Sequence, residues 1–224
     1  VSDHTPVLHG YWRSTAAYRV RIALELKGIA WTHAGVHLVR DGGEQHGEAY
    51  RALNPAGLVP ALEWRGAVLT QSLAICEFLD EVQPAPPLLP EDPVDRSWIR
   101  AIALDVACEI HPLNNLRVQQ YLGGTLGLDE AERVRWMHHW MAEGFGAVEG
   151  RLSAREPDGG LCLGPEPGLA DLCLVAQAYN ADRFGFDLGP YPRVQRIVAH
   201  CRTLPAFTAA VPEAQPDAPA HGGS

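Results

Sequence analysis

The sequence predicts two domains of different class, a small α/β domain followed by an all-helical one. Three observations carry this. Across roughly the first eighty residues, short strand-like apolar runs alternate with runs of helical spacing. Between Gln83 and Pro93, five prolines (84, 86, 87, 90 and 93) interrupt the chain. Beyond them, the periodic apolar stretches all have helical spacing.

Val7 to Tyr11 reads as a strand. Thr15 to Lys27 reads as a helix with Val20, Ala23 and Leu24 on one face, and Gly28 supplies its stop. Trp31 to Leu38 is a second strand and Glu44 to Leu53 a short helix. Asn54-Pro55-Ala56-Gly57 is a turn cluster. Val59 to Trp64 and Ala67 to Thr70 form a hairpin across Arg65-Gly66. Ser72 caps a last helix, Leu73 to Val82. The order is β-α-β-α-β-β-α, and a right-handed crossover makes the first two strands parallel, with the hairpin completing one sheet. Residues 1–83 therefore form the first domain, and 84–93 a semi-rigid linker. The helical domain spans 94–212. In it Val94 to Glu109 is apolar-periodic, and His111-Pro112 interrupts it before Leu113 to Leu122. Asp129 caps a long helix through Arg151. Leu169 to Arg183 and Tyr191 to Arg202 follow, then a short turn at Ala206 to Ala210. The tail, 213–224, is rich in Pro, Ala and Gly and reads as disordered.

At 224 residues the chain can bury a real core. Its 46% hydrophobic and 20% charged content is that of an ordinary soluble globular protein. A net charge of −9 argues against broad binding to nucleic acid or anionic membranes. The five cysteines form no C-x-x-C pair and read as buried structural thiols, not disulfides or zinc ligands. His33 and His37, in strand spacing, stand about 13 Å apart and do not chelate. His138 and His139 face different sides of a helix, so no metal site is expected. Among the 18 basic residues only Lys27 is a lysine, a ratio that genome composition explains more simply than ligand chemistry. No basic segment leads into an apolar core at the N-terminus, and no apolar run spans a bilayer. A cytoplasmic protein is expected.

Ser14 and Thr15 stand at the mouth of the first helix, directly after a strand. Either hydroxyl can simply cap the helix. That terminus, with unpaired amides and the positive end of the dipole, also attracts anions, a thiolate among them. A hydroxyl donating to sulfur there would depress a thiol pKa. No cysteine lies nearby in sequence, so the sulfur would belong to a bound small molecule. Gln71-Ser72 opens a second helix on the same side of the sheet. Ser72 alone could cap it; with Gln71 donating too, the pair could hold a carboxylate. Val59-Pro60 begins a strand, where trans proline is tolerated. If the bond is cis, the Val59 backbone turns outward to pair with a peptide-like ligand. His111 sits at a helix break, and such breaks often border clefts. Arg13, Arg117 and Arg183 are singly read as surface charges; converging, they suit a dicarboxylate.

Five stretches together resemble the zeta class of glutathione transferases, the group containing maleylacetoacetate and maleylpyruvate isomerases. They are Arg13-Ser14-Thr15 with Tyr18 to Leu24, Ala52 to Pro55 with Val59 to Leu62, Gln71 to Ile75, Ile110 to Asn115, and Asp187-Leu188 with Pro190 to Pro192. The resemblance runs from about Leu8 to Pro219. It implies a thioredoxin-like N-terminal domain, a glutathione-transferase-type helical C-terminal domain, a homodimer, and glutathione as cofactor. The thiolate would lie at Ser14 and Thr15, and the cysteinyl backbone at Val59, before a cis bond to Pro60. The γ-glutamyl carboxylate would lie at Gln71 and Ser72. His37 and Gln45 would reach the glycyl end, and His111 and Asn115 would line the cleft from the helical domain. Two departures stand out: Ala16 replaces a cysteine common in the family, and Gly168 replaces the Ser or Thr that precedes Asp171 by three.

The activity so implied is glutathione-dependent cis–trans isomerisation of a maleyl keto acid, maleylacetoacetate or maleylpyruvate, to its fumaryl isomer by reversible thiolate addition. Ser14 would stabilise the thiolate. Arg13, with Arg117 and Arg183, would hold the substrate carboxylates, an assignment made by charge matching. Conjugation of glutathione to small halogenated acids or other electrophiles would use the same thiolate. A non-catalytic glutathione-binding module is the third reading.

Overall fold

The computed structural model describes residues 5–155 and 160–219. The chain divides into two compact units, Val1–Leu88 together with Leu204–Ser224, and Leu89–Thr203. The first unit holds β1 (Val7–Gly10), α1 (Thr15–Leu26), β2 (Thr32–Gly35), α2 (Glu48–Leu53), β3 (Ala61–Trp64), β4 (Ala67–Thr70) and α3 (Ser72–Val82). Its sheet has the order β2-β1-β3-β4. β1 and β2 are parallel, as the crossover rule requires, and β3 runs antiparallel to both of its neighbours. Leu62 faces Leu8 across one ladder and Leu69 across the other, so apolar pairs fix the register. Arg65 and Gly66 both take positive φ (48° and 86°), the geometry of a tight hairpin turn.

Several elements are shorter than the periodicity suggests. The second strand stops at Gly35 instead of Leu38, because the chain from His37 bonds locally. The His37 amide donates to the Glu44 carboxylate at 2.7 Å, and the Glu44 amide donates to the His37 carbonyl at 2.9 Å. The expected helix Glu44 to Leu53 splits at Gly47, whose extended backbone separates a 3-10 turn, Glu44–His46, from α2. The third strand starts at Ala61, not Val59.

α1 departs from the amphipathic expectation more fundamentally. Every residue from Ala17 to Leu24 is buried, Arg19 and Arg21 included. α3 packs against it, and so does the short helix Pro205–Ala209, because the chain returns to the first unit after Thr203. The Tyr18 hydroxyl donates to the Phe207 carbonyl at 3.5 Å and Arg21 Nε donates to the Ala210 carbonyl at 3.0 Å. Residues 204–212 therefore belong with the α/β unit, not with the helical domain as the sequence suggests. Nor are residues 213–219 a disordered tail: Gln215 is buried, donating to the carbonyls of Val211 and Ala209, and Asp217 bonds the Trp12 amide. The rest of that tail lies outside the described residues. Lys27, also buried, reaches the Asp80 carboxylate at 2.5 Å and the Pro86 carbonyl, which ties the proline-rich stretch down.

The second unit holds α4 (Pro93–Leu104), α5 (Leu116–Gly124), α6 (Glu130–Ser153), α7 (Leu169–Arg183) and α8 (Pro192–Cys201). The helix expected to run to Glu109 instead leaves α4 at Leu104. A π-helical turn, Asp105–Ile110, and a 3-10 turn, His111–Asn114, follow. Pro112 has no amide to continue an α-helical ladder, and the His111 amide reaches back five residues to the Val106 carbonyl. Asp129 and Glu132 exchange bonds of 2.8 and 2.9 Å in a full capping box for α6. α7 has only the reverse half of such a box. Asp171, buried, accepts the Gly168 and Cys162 amides, each at 2.8 Å, while Gly168 has no side chain to reciprocate.

α6 crosses the π-helical turn at Gly144, where an added Cβ would stand 2.1 Å from Ile110 Cγ1. Gly144→Ala should therefore lower stability by about 1–3 kcal/mol through overpacking. A chemical denaturation midpoint equal to that of the parent chain would contradict this contact.

Candidate active site at one end of the sheet

Strand register gathers the candidate residues of the α/β unit. Ala61, the first residue of β3, pairs with His9 near the end of β1 and with Thr70 at the end of β4. Gly10, the last residue of β1, pairs with Gly35, the last of β2. The chain therefore leaves β1 toward Ser14, leaves β2 toward His37, enters β3 from Val59-Pro60 and leaves β4 toward Gln71-Ser72, all at one sheet end. Neighbouring strands stand about 4.8 Å apart. The four sets are thus spread in the order His37, Ser14, Val59, Gln71-Ser72.

Ser14 is the N-cap of α1, with extended backbone (φ −69°, ψ 116°). Its Oγ accepts the Ala17 amide at 3.2 Å. A hydroxyl has two lone pairs and one proton, so this bond fixes the oxygen while leaving the O–H to donate elsewhere. Thr15 is the first helical residue and is buried. Its amide and that of Ala16 are first-turn donors with no intrahelical carbonyl to bond. Arg13 lies with its guanidinium 4.8 Å above the Trp12 ring, a cation–π contact that restrains a side chain carrying five donors.

The second helix mouth differs from expectation in an informative way. Ser72 does not cap α3: it is the first helical residue, and Gln71 occupies the N-cap. Gln71 does so at φ 69°, ψ 113°, a region costly for a residue with a Cβ, and makes no side-chain capping bond. The buried Ser72 hydroxyl instead accepts from Arg19 Nη1 at 3.2 Å. Arg19 is only 1% exposed, and its Nε and Nη2 have no hydrogen-bond partner among the described residues. A buried cation with two idle donors beneath a helix N-terminus is an unbalanced arrangement, and an anion above it would relieve it.

The Val59-Pro60 peptide is cis. The loop before it is braced at the Leu58 carbonyl, which accepts from the Tyr50 hydroxyl at 2.8 Å and from Asn54 Nδ2 at 2.7 Å. Burial pushes the Tyr50 phenol up to about 12, so it stays a donor at neutral pH. Val36, Tyr50 and Ala61 form a small buried cluster with Leu53 and Val59 packed against it. His37 lies beyond β2, not within it. Its Nδ1 accepts the Arg40 amide at 2.9 Å and the Val39 amide at 3.3 Å, which leaves the proton on Nε2. Gln45 is buried, with Nε2 bonded to the Leu38 carbonyl at 3.3 Å and Oε1 lacking a partner among the described residues.

The remaining candidates belong to the helical unit. His111 opens the 3-10 turn and Asn115 caps α5, its Oδ1 accepting the Arg117 amide at 3.1 Å. Arg117 is exposed in the first turn of α5. Arg183, also exposed, ends α7 with its guanidinium 4.9 Å over Phe184. Cys76, Cys162, Cys173 and Cys201 are buried, while Cys108 is exposed on the π-helical turn. Burial holds the Cys162 and Cys201 thiols well above the usual range, which makes them poor nucleophiles. No group of three metal-ligating side chains occurs among the described residues, and no helix there is long and apolar enough to cross a membrane.

Reading by local spacing missed Arg19, Tyr50 and Asn54. Arg19 does leave a trace, since it stands four residues before Ala23 and so borders the apolar face of the helix.

Comparison with known proteins agrees with the fold. The model of the glutathione S-transferase N-terminal domain matches residues 13–82. The maleylacetoacetate isomerase of Pseudomonas aeruginosa is 47% identical over 214 residues, covering 95% of this chain and 99% of that protein. The holo structure of maleylpyruvate isomerase, a bacterial glutathione S-transferase of the zeta class, superposes with a TM-score of 0.92. It is 45% identical, over 95% of this chain and all of that one. The maleylacetoacetate isomerase of Methylobacterium extorquens, solved with bound malonate and glutathione, gives a TM-score of 0.90. It is 41% identical, over 96% and 100% of the two chains.

Proposed function

The chain belongs to the zeta class of glutathione transferases, and from that premise we propose that it is a glutathione-dependent cis–trans isomerase converting a maleyl keto acid to its fumaryl isomer. The observation that carries the reading is the Ser14 hydroxyl. Its lone pair is engaged by the Ala17 amide, and its proton is left to donate at the positive end of α1. Capping and thiolate stabilisation are here two uses of one oxygen.

The residues present fit glutathione. An extended tripeptide spans about 10 Å, about two strand spacings, which is the separation of the β1 and β4 ends. Laid across the sheet end, its glycyl carboxylate meets His37 Nε2 and Gln45, and its sulfur meets Ser14. Its cysteinyl backbone meets Val59 ahead of Pro60, and its γ-glutamyl carboxylate meets Gln71 and Ser72. The idle donors of Arg19 supply the charge that this last carboxylate balances. When bound, glutathione supplies a thiolate whose reversible addition turns the substrate double bond into a single bond that can rotate.

The protein's own part is electrostatic. Ser14 and the first amides of α1, from Thr15 and Ala16, lower the thiol pKa and hold the sulfur before attack and after departure. Arg13, restrained over Trp12, binds a carboxylate of the dicarboxylate substrate and offsets charge gathering on its carbonyl oxygen. In the helical unit, charge matching keeps Arg117 and Arg183 as candidates for a second carboxylate, while His111 and Asn115 rest on the resemblance. Ala16 leaves no second sulfur at this helix mouth, and the isomerisation needs none. A cytoplasmic homodimer is part of the same reading.

The test supplies maleylpyruvate or maleylacetoacetate with glutathione and follows the enol absorbance. Turnover with glutathione regenerated is expected; stoichiometric consumption of glutathione would favour conjugation, and no change at all would defeat the proposal. Ser14→Ala should lower kcat/KM by about 100-fold or more while glutathione still binds. Arg19→Met should do the opposite, weakening glutathione binding by about tenfold with the pH profile of turnover unmoved, as titration calorimetry and kinetics can show.

A further inference from the structure

The C-terminal segment reaches back across the chain to the residue two positions before Ser14. Asp217 Oδ2 accepts the Trp12 amide at 3.0 Å. On the other side of the same residue, the Trp12 carbonyl accepts from Arg21 Nη2 at 3.0 Å. Both grips lead to one piece of chain, because Arg21 Nε also donates to the Ala210 carbonyl at 3.0 Å. Gln215, folded back onto the Val211 carbonyl at 2.9 Å, shapes the turn that delivers Asp217. The second oxygen of Asp217 stands 2.9 Å from His33 Nε2 on β2. One step further, the Ser14 amide donates to the Tyr11 carbonyl at 2.8 Å. Trp12 is thus held at both backbone polar groups by charged side chains, and the loop that aims Ser14 and seats Arg13 has little freedom left.

We propose that Asp217 is a positioning residue: by accepting the Trp12 amide, the C-terminal segment fixes the β1–α1 loop and thereby aims the Ser14 hydroxyl at the sulfur. Hydrogen bonds to a charged group are about twice as strong as neutral ones, and a misplacement of about 1 Å in a catalytic group can cost about 100-fold in rate. The bond therefore acts on turnover more than on glutathione affinity, which draws on His37, Val59, Gln71 and Ser72 as well. The inference rests on Ser14 being the thiolate partner.

Asp217→Ala, Asp217→Asn and His33→Gln, each in the full chain, test it. Amide hydrogen exchange at Trp12, measured without ligand, reads the brace alone; kcat and the ultraviolet thiolate titration of bound glutathione read its effect on Ser14. Asp217→Ala should speed Trp12 exchange and lower kcat, each by about tenfold or more, raise the thiol pKa, and leave the KM for glutathione within about twofold. Asp217→Asn keeps a neutral oxygen for the Trp12 amide, a weaker acceptor than the carboxylate, and should recover most of each loss. His33→Gln, which takes the imidazole from beside Asp217 but leaves the carboxylate and its bond to the Trp12 amide in place, should leave thiol pKa and kcat unchanged, and it remains informative if Asp217→Ala does not fold. Unchanged kcat and thiol pKa in Asp217→Ala would overturn the proposal. So would an Asp217→Asn as impaired as the alanine variant, or a loss of both readouts in His33→Gln. If the parent chain itself shows no depressed thiol pKa, the reading of Ser14 fails, whereas Trp12 exchange still decides whether the brace exists.

Discussion

The pairing of Ala61 with His9 on one side and Thr70 on the other is the constraint on which the site depends. It forces two strand exits and one strand entrance to a common end, and the parallel pairing of β2 with β1 adds a third exit. A shift of one residue in this register would turn every side chain of β3 to the opposite face. Leu62, held between Leu8 and Leu69, resists that shift, so apolar packing within the sheet sets the spacing of polar groups at its end.

Two helix mouths at that end solve the anion problem differently. At α1, Ser14 takes the ordinary N-cap conformation and its hydroxyl remains a donor. At α3, Gln71 takes the costly backbone conformation, and Ser72 is released from capping to face the buried Arg19. The first arrangement suits a soft, polarisable anion that needs one hydrogen bond. The second, with an idle guanidinium behind it, suits a carboxylate. Glutathione carries both kinds of group at the ends of a peptide that the intervening Val59 backbone can pair.

Much of this was legible in the sequence because it is local. The alternation of strand and helix, the Gly28 stop, the Arg65-Gly66 turn, the Asp129 cap and the two hydroxyl-bearing helix mouths are short-range signals. What could not be read is held by contacts between distant residues. The burial of Arg19 follows from Ser72, and that of Arg21 from Ala210; neither partner is near in sequence. The Pro/Ala/Gly-rich C-terminus has the composition of a free tail, yet Gln215 and Asp217 give it bonds that composition does not reveal. Local spacing also misjudged segments where side chains bond the backbone. Glu44 closes the loop after β2, and Gly47 divides the following helix. Pro112 turns an apparently continuous helix into π and 3-10 turns.

The most direct test of the central claim is a crystal structure of this protein with glutathione bound. The sulfur is predicted within hydrogen-bond distance of Ser14 Oγ, the cysteinyl backbone against Val59 and the γ-glutamyl carboxylate at Gln71 and Ser72. A sulfur placed elsewhere, with the Ser14 hydroxyl turned to solvent, would contradict the account.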